Sequence, residues 1–101
     1  MEKRVAHYNL DSIKELVKNN HYYITGSART SYTNIGFTDD DVIEIIIGLS
    51  SSNLYKSMSS YHSNQIWQDV YHKTVKQIKL YIKLQINEKA IIISFKENEN
   101  D

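Results

Sequence analysis

The sequence predicts an α+β fold, with N-terminal helices packed on one face of a mostly antiparallel β-sheet. Apolar residues recur at helical spacing in the first half of the 101-residue chain, and they alternate with polar residues in the second half. Helices followed by a run of strands are typical of α+β domains rather than of alternating α/β domains. The length predicts a single domain over residues 1–101.

The first helix is predicted from apolar residues at helical spacing, which are Leu10, Ile13, Leu16 and Val17. Asp11 or Ser12 can cap its N-terminus, and Ser12 with Glu15 forms a capping-box pattern. The helix should end near Asn19 and Asn20, because asparagine suits a C-terminal cap.

A second clear helix signal follows an ambiguous stretch. Tyr22–Ile24 is β-prone, and Gly26–Gly36 is open between a loop and a short helix. Thr38 followed by three aspartates is a strong helix start, since a hydroxyl caps the first turn and acidic groups favour the positive end of the helix dipole. The helix should run to Ile47 and end at Gly48. It is apolar nearly all round, which predicts burial against the sheet.

Four strands are predicted in the second half. The clearest is Gln77–Asn87, in which five apolar residues alternate strictly with polar ones. A turn at residues 87–89 leads into Ala90–Phe95, whose nearly continuous apolar run predicts a central strand. Leu54–Ser60 and Gln65–His72 are the other two strands, and residues 62–64 should connect them.

The charge distribution suits a polyanionic partner, although the net charge of the chain is zero. Residues 1–50 carry five basic and seven acidic side chains, whereas residues 51–96 carry seven lysines and two acidic side chains. A basic half is the electrostatic pattern of a nucleic-acid binder. An ordinary solvated lysine surface is the alternative.

Composition excludes several other classes of function. The chain has no cysteine, which removes disulfides, thiol catalysis and cysteine zinc sites. The four histidines are scattered, so we predict no metal site and no cofactor. No apolar run approaches the roughly 18 residues of a membrane span, and the N-terminus lacks the apolar core of a signal peptide. We therefore expect a cytoplasmic protein. The acidic residues 97–101 are expected to form a frayed tail.

The side of the sheet away from the helices, here called the open face, is the candidate site. Strict alternation places Tyr81 and Lys83 on it. Gln68 and His72 lie an even number of residues apart and so share one side of their strand, as do Lys56 and Met58, and both pairs can join the same face. The open face is thus predicted to hold Lys56, Met58, Gln68, His72, Tyr81 and Lys83. Lysines neutralise a phosphate and the charge of its transition state, a tyrosine or histidine exchanges protons, and aromatic faces stack unpaired bases. Many sheets carry lysine and tyrosine on a wet face, so the pattern alone is not specific.

The sequence resembles the MqsR family of bacterial toxins, the motility and quorum-sensing regulator type. The resemblance extends over the whole chain up to Lys96, and its most specific segments are MEKR at 1–4, IIGLS at 46–50, YKSM at 55–58, IWQDVY at 66–71, YIK at 81–83 and SFKE at 94–97. It implies a RelE-like fold and a ribosome-independent mRNA endonuclease that prefers GC-containing triplets such as GCU. It also implies a partner, an MqsA-like antitoxin that binds zinc and DNA.

The resemblance implies that Lys56, Gln68 and Tyr81 are the catalytic residues. His72 stands where the family is expected to have an arginine, so its grip on phosphate depends on its protonation. We expect RNA to be held by Tyr55, Met58, His72 and Lys83. Two alternatives use the same basic sheet: a non-catalytic module that binds RNA or DNA, and a domain that binds an acidic protein.

Overall fold

The computed structural model describes residues 1–60 and 63–99, without the side chains of residues 60 and 63–65. In that part of the chain the helices are α1 (Leu10–Lys18), α2 (Gly26–Asn34) and α3 (Asp39–Ile47), and a 3₁₀ turn covers Ser51–Asn53. The strands are β1 (Glu2–Lys3), β2 (Tyr22–Ile24), β3 (Leu54–Ser60), β4 (Ser63–Val75), β5 (Ile78–Asn87) and β6 (Lys89–Glu97). The predicted α+β class is confirmed. None of the helices in the described ranges is long and apolar enough to cross a membrane.

The strands form one six-stranded sheet in the order β1-β3-β4-β5-β6-β2. Neighbouring strands are antiparallel except β2 and β6, which are parallel. The predicted central strand is confirmed, because β6 lies between β5 and β2. Four strands were predicted in the second half of the chain, one of them from strict alternation, and β1 was missed because two residues are too few to show a period of two.

Helix α1 begins earlier than its predicted cap. Asn9 is the N-cap, and its side-chain oxygen accepts the backbone N–H of Ser12 at 3.0 Å. The predicted caps at Asp11 and Ser12, and the capping box between Ser12 and Glu15, were therefore wrong. Asparagine is as good an N-cap as aspartate or serine, and this one directly precedes the first apolar residue. The predicted end is confirmed, with Asn19 as the C-cap.

The other two helices both begin at a threonine. The ambiguous stretch forms α2, and the Thr25 hydroxyl oxygen accepts the N–H of Ala28 at 3.0 Å. Helix α3 has a complete capping box: the Asp41 N–H donates to the Thr38 hydroxyl at 3.1 Å, and the Thr38 N–H donates to the Asp41 carboxylate at 2.8 Å. Gly48 is its C-cap, as predicted.

The helices cover one face of the sheet and leave the other face to solvent. The apolar side of β5 is confirmed as the floor of the core, since Leu80, Ile82 and Leu84 are all 1% exposed or less. The helices contribute buried side chains above it, which are Ile13, Val17, Ala28, Tyr32, Val42 and Ile46. Each large apolar side chain buried in this way stabilises the fold by roughly 1.5–3 kcal/mol.

The connections between strands are tighter than expected. Lys76 and Gln77 turn the chain between β4 and β5 with φ of 52° and 69°. Two consecutive positive φ values match the right-handed twist of a hairpin, so Gln77 belongs to the turn and its predicted place in the strand was wrong. Strand β4 begins at Ser63, which was predicted to lie in the connection. His62, also assigned to that connection, lies outside the described residues.

The acidic tail is paired further than predicted. Glu97 lies opposite Leu80 at the end of β6, and the Asn98 N–H donates to the Lys79 carbonyl at 2.7 Å. The predicted fraying at Glu97 was therefore wrong, because backbone pairing with β5 continues past it. Residues 100 and 101 lie outside the described residues.

A buried carboxylate attaches the segment between β1 and α1 to the sheet. Asp69 is 0% exposed, and it accepts the backbone N–H groups of His7 at 3.0 Å and Tyr8 at 2.9 Å. The Tyr8 hydroxyl donates to the carbonyl of Trp67 at 2.7 Å, and the His7 ring stacks on the indole. These bonds hold β1 against the edge of β3.

Candidate functional site

The sheet register brings the predicted side chains of the open face together. Residues directly opposite one another on neighbouring antiparallel strands point to the same side, as do residues two apart on one strand. The relevant cross-strand pairs are Lys56–Val70, Val70–Lys83, Met58–Gln68 and His72–Tyr81. All six predicted side chains therefore lie on the face opposite the helices.

An irregularity in β3 adds Tyr55 to the same face. The pairing register with β4 shifts between Leu54 and Lys56, as it does at a β-bulge. The Tyr55 ring stacks on the His72 ring with centroids 4.3 Å apart and an interplanar angle of 17°. Regular alternation would point Tyr55 and Lys56 to opposite faces, so the bulge is what allows both to reach the open face.

Lys56 is a stable cation on this face. Its Nζ lies 2.8 Å from the Glu2 carboxylate, and its side chain is 19% exposed whereas that of Glu2 is 58% exposed. The hydrogen bond between the two side chains raises the pKa of Lys56 and lowers the pKa of Glu2, and their opposite charges add to both effects. Both groups are therefore ionised at neutral pH.

Lysines surround the phenol of Tyr81. The Nζ of Lys96 lies 5.2 Å from its ring centroid, and that of Lys83 lies 5.8 Å away. Burial raises the pKa of Tyr81, which keeps its hydroxyl protonated, although the charge of Lys56 acts in the other direction. Burial also lowers the pKa of Lys83, with the neighbouring Lys96 and Lys56 ammonium groups adding to the effect. The arrangement can bind an anion and donate a proton to it.

His72 lies between two aromatic rings. It is stacked on Tyr55, and its ring centroid lies 5.9 Å from that of Tyr81. Its Nε2 is buried and has no hydrogen-bond partner within the described residues. Burial, together with the charge of Lys56, lowers the pKa of His72. The neutral imidazole is thus favoured, whereas an arginine would be charged at any physiological pH.

Gln68 is oriented by a second glutamine. Its Nε2 donates to the Oε1 of Gln85 on β5 at 3.2 Å, and Met58 lies opposite it on β3. Both Gln68 and Met58 are partly exposed. This end of the open face offers a fixed amide and an apolar thioether, a combination suited to the polar edge and the flat face of a base.

Three residues of the site were not predicted as such. Lys96 lies opposite Tyr81, and counting from the buried Phe95 beside it would have placed it on the open face. Gln85 was placed on the polar side of β5 but given no role. Glu2 had no signal in the sequence, because nothing local shows that β1 pairs with β3.

The aspartates at the start of α3 have structural partners. Asp41 completes the capping box, and Asp39 forms an ion pair with Arg29 at 3.1 Å and accepts a hydrogen bond from the Tyr32 hydroxyl. These contacts confirm the helix-start explanation. Over the two described ranges, no three His, Asp or Glu side chains gather as they would around a metal ion.

Comparison with known proteins identifies two matches over most of the chain. The model of a family described as "Motility quorum-sensing regulator, toxin of MqsA" matches residues 5–97. A curated protein of Escherichia coli strain K12, the "mRNA interferase toxin MqsR", is 39% identical over 97 residues. That alignment covers 96% of this chain and 99% of the relative.

Proposed function

Because this chain belongs to the motility quorum-sensing regulator family of toxins, we propose that it is the toxin of a toxin–antitoxin pair, an endoribonuclease that cleaves messenger RNA. The name of the E. coli relative supports an mRNA interferase activity. The observation that carries the proposal is the open face itself, where three lysines and a protonated phenol form an anion-binding surface next to a stacked pair of rings.

The cleavage needs no metal in this proposal, since the ribose 2′-hydroxyl is the nucleophile. Lys56 binds the scissile phosphate and stabilises the charge that develops in the transition state. Tyr81 keeps its proton and so can donate it to the leaving oxygen. Gln68, oriented by Gln85, positions the scissile group. The products are a 2′,3′-cyclic phosphate and a 5′-hydroxyl.

The remaining residues of the open face would hold the RNA on either side of the cut. Tyr55 extends the aromatic surface of His72, on which an unpaired base can stack. Lys83 and Lys96 supply further cations for neighbouring phosphates, and Met58 offers an apolar contact. Cleavage at GC-containing triplets such as GCU, independent of the ribosome, is the preference that membership of the family leads us to propose.

The proposed partner is a cognate antitoxin that binds both zinc and operator DNA. The family description pairs its toxin with MqsA, and a basic open face is a surface that an inhibitor must cover or deform. Isolation of this chain with the product of its neighbouring gene, followed by metal analysis of that product, tests the assignment.

Lys56→Ala tests the catalytic proposal. We expect the parent to cleave a defined RNA containing GCU and to spare the matching DNA. The variant should be slower by about 100-fold or more, since loss of one such electrostatic contact costs about 3 kcal/mol of transition-state stabilisation. Stability should change little, because the Glu2 carboxylate, which loses its partner in this variant, is largely exposed. Single-turnover cleavage and thermal melting provide the two measurements.

Lys18→Ala is the matched control, because Lys18 is exposed in the last turn of α1. It removes an equal charge from the opposite layer and should cleave at the parental rate. Parental cleavage by Lys56→Ala would contradict the role of Lys56. RNA binding by the parent without cleavage would support a binding module, and neither binding nor cleavage would support a protein-interaction domain.

A further inference from the structure

The open face contains two groups beside Lys56 that can accept a proton at neutral pH. One is the Glu2 carboxylate, bonded to the Lys56 ammonium at 2.8 Å, and the other is the neutral imidazole of His72. Tyr81 keeps its proton. Cleavage through a 2′,3′-cyclic phosphate requires a group that removes the proton of the 2′-hydroxyl.

The fold directs the Glu2 side chain into the site from a distant part of the sequence. Strand β1 pairs with β3 so that Glu2 lies opposite Met58, a residue of the open face. The Ser59 N–H donates to the Met1 carbonyl at 2.9 Å and extends this pairing. On the other side of β1, the buried Asp69 carboxylate holds the following segment through two backbone N–H groups. These backbone contacts fix the position of β1 beside the open face, and the ion pair with Lys56 orients the Glu2 carboxylate.

We propose that Glu2 is a catalytic residue, the general base that takes the 2′-hydroxyl proton of the nucleotide whose phosphate lies on Lys56. The inference rests on the proposed ribonuclease function. The proton passes to the Glu2 carboxylate, the 2′-oxygen forms a bond to phosphorus, and the bond from phosphorus to the 5′-oxygen breaks. The 5′-oxygen then takes a proton from the Tyr81 hydroxyl, which leaves a 2′,3′-cyclic phosphate and a 5′-hydroxyl.

Accessibility favours Glu2 over His72 for this role. The Glu2 side chain is 58% exposed at the surface that RNA must approach, whereas the His72 ring is partly buried and stacked on Tyr55, with its Nε2 fully covered. Substrate binding also improves Glu2 as a base. A phosphate on Lys56 competes for the ammonium and brings a negative charge close to the carboxylate, and both changes raise the proton affinity of Glu2.

Other charges also act on the pKa of Glu2, and they must be considered when the pH dependence of cleavage is interpreted. The amino group of Met1 and the Arg4 guanidinium act on it from its own segment, and Lys56 acts from β3. Tyr81 interacts with it from β5. The lysine charges change little between pH 4 and 8, but His72 on β4 also gains charge in acid, so only a loss of activity that disappears in Glu2→Gln would report protonation of Glu2.

Glu2→Gln is the decisive variant. Its amide oxygen can still accept the hydrogen bond from Lys56, but it cannot take the proton. We expect the single-turnover rate to fall by about 100-fold or more, the typical contribution of a general base, and the acid limb of the profile to disappear. Affinity for a non-cleavable 2′-O-methyl RNA should be unchanged or slightly higher. The tag must be placed at the C-terminus, because Glu2 lies beside the N-terminus.

An RNA with sulfur in place of the 5′-oxygen separates the base from the acid. A thiolate leaves without receiving a proton, so this substrate should restore cleavage by Tyr81→Phe but not by Glu2→Gln. Glu2→Asp, which keeps a carboxylate, should retain more activity than Glu2→Gln. Glu15→Gln removes an exposed carboxylate from α1 and should cleave at the parental rate.

Three results would overturn the role of Glu2. Parental cleavage by Glu2→Gln would show that Glu2 takes no part in the reaction. Faster cleavage would show that Glu2 inhibits the enzyme by pairing with Lys56. Rescue of Glu2→Gln by the thio substrate would make it part of the acid step. An inactive parent would instead mean that the proposed ribonuclease function has failed, and the inference with it.

Discussion

At the scale of single residues, one positive charge affects the state of its neighbours across the open face. Glu2 keeps Lys56 charged, and that charge helps to lower the pKa of His72 and opposes the rise in the pKa of Tyr81. A histidine next to a permanent cation resists becoming a second cation. The site therefore has a neutral stacked ring where an arginine would have added charge.

His72→Arg tests how much RNA affinity is lost because the residue at position 72 is neutral. Burial and the charge of Lys56 lower the pKa of His72, so it contributes a charge only in acid, and parental affinity for a non-cleavable RNA should rise as the pH falls below the usual imidazole range. The arginine is charged throughout, so the variant should bind more tightly at pH 7.5 and depend less on pH. One added phosphate contact should also steepen the plot of log affinity against log salt by about 0.7. Fluorescence anisotropy over a pH and salt series measures both.

His21→Arg is the control for this comparison, because His21 is exposed next to β2, an edge strand that β5 and β6 separate from β4. It adds the same charge to the molecule without adding a contact to the site. Identical pH and salt profiles for the parent and His72→Arg would show that residue 72 does not contact phosphate.

At the scale of elements, contacts in the first turn of α3 determine how this helix lies against the core. The helix is largely apolar, so its own polar pattern does little to select the side that faces the core. Thr38 and Asp41 exchange two hydrogen bonds there, and Asp39 links α3 to Arg29 and Tyr32 of α2. The capping bonds also lower the pKa of Asp41, so its contribution to stability is lost in acid as that carboxylate is protonated.

Thr38→Ala should destabilise the fold by about 1 kcal/mol, since it leaves the Asp41 N–H without its capping oxygen. For a domain of this size the midpoint of thermal unfolding should fall by roughly 4–8 °C. Thr38→Ser is the matched variant, because it keeps the hydroxyl, and it should stay close to the parent. Equal midpoints for the alanine and serine variants would show that the cap contributes nothing measurable. Melting followed by circular dichroism at pH 7 makes the comparison.

At the scale of the whole molecule, the sheet has short strands at both edges and lysines on its open face. Strand β1 has two residues and β2 has three, and short edge strands limit unwanted pairing between sheets. Tyr23 on β2 is 57% exposed. An antitoxin could cover the open face, or it could add a strand at an edge and block RNA indirectly. We favour the edge, because each edge strand of the described sheet keeps one side free of a neighbouring strand.

Expression of this chain alone should arrest growth, and co-expression of its antitoxin should relieve the arrest. Lys79→Glu combined with Lys96→Glu reverses two exposed charges on the open face and should greatly weaken RNA binding. If the antitoxin pairs with an edge, it should bind this double variant as tightly as it binds the parent. Calorimetric titration measures that affinity, and a joint loss of RNA and antitoxin binding would mean that both use the open face.

Local physical chemistry in the sequence determined most of the architecture. Strict alternation in β5 placed Tyr81 and Lys83 on the open face, because side chains of a strand point alternately to its two sides. The threonine–aspartate start of α3 is also local, since its capping bonds join residues three apart. The same local information failed at α1, where two nearby residues competed with Asn9 as caps of equal quality.

Only the tertiary structure decided how the site is completed. The bulge that brings Tyr55 beside Lys56 depends on the register between β3 and β4, and a strand's own sequence does not show its register. Glu2 and Lys56 are 54 positions apart, and they meet because β1 pairs with β3. The charge state of His72 likewise depends on burial and on that distant ion pair. The sequence gives the type of each side chain, but long-range strand pairing decides which side chains are neighbours. The protonation states of the site therefore follow only from the folded chain.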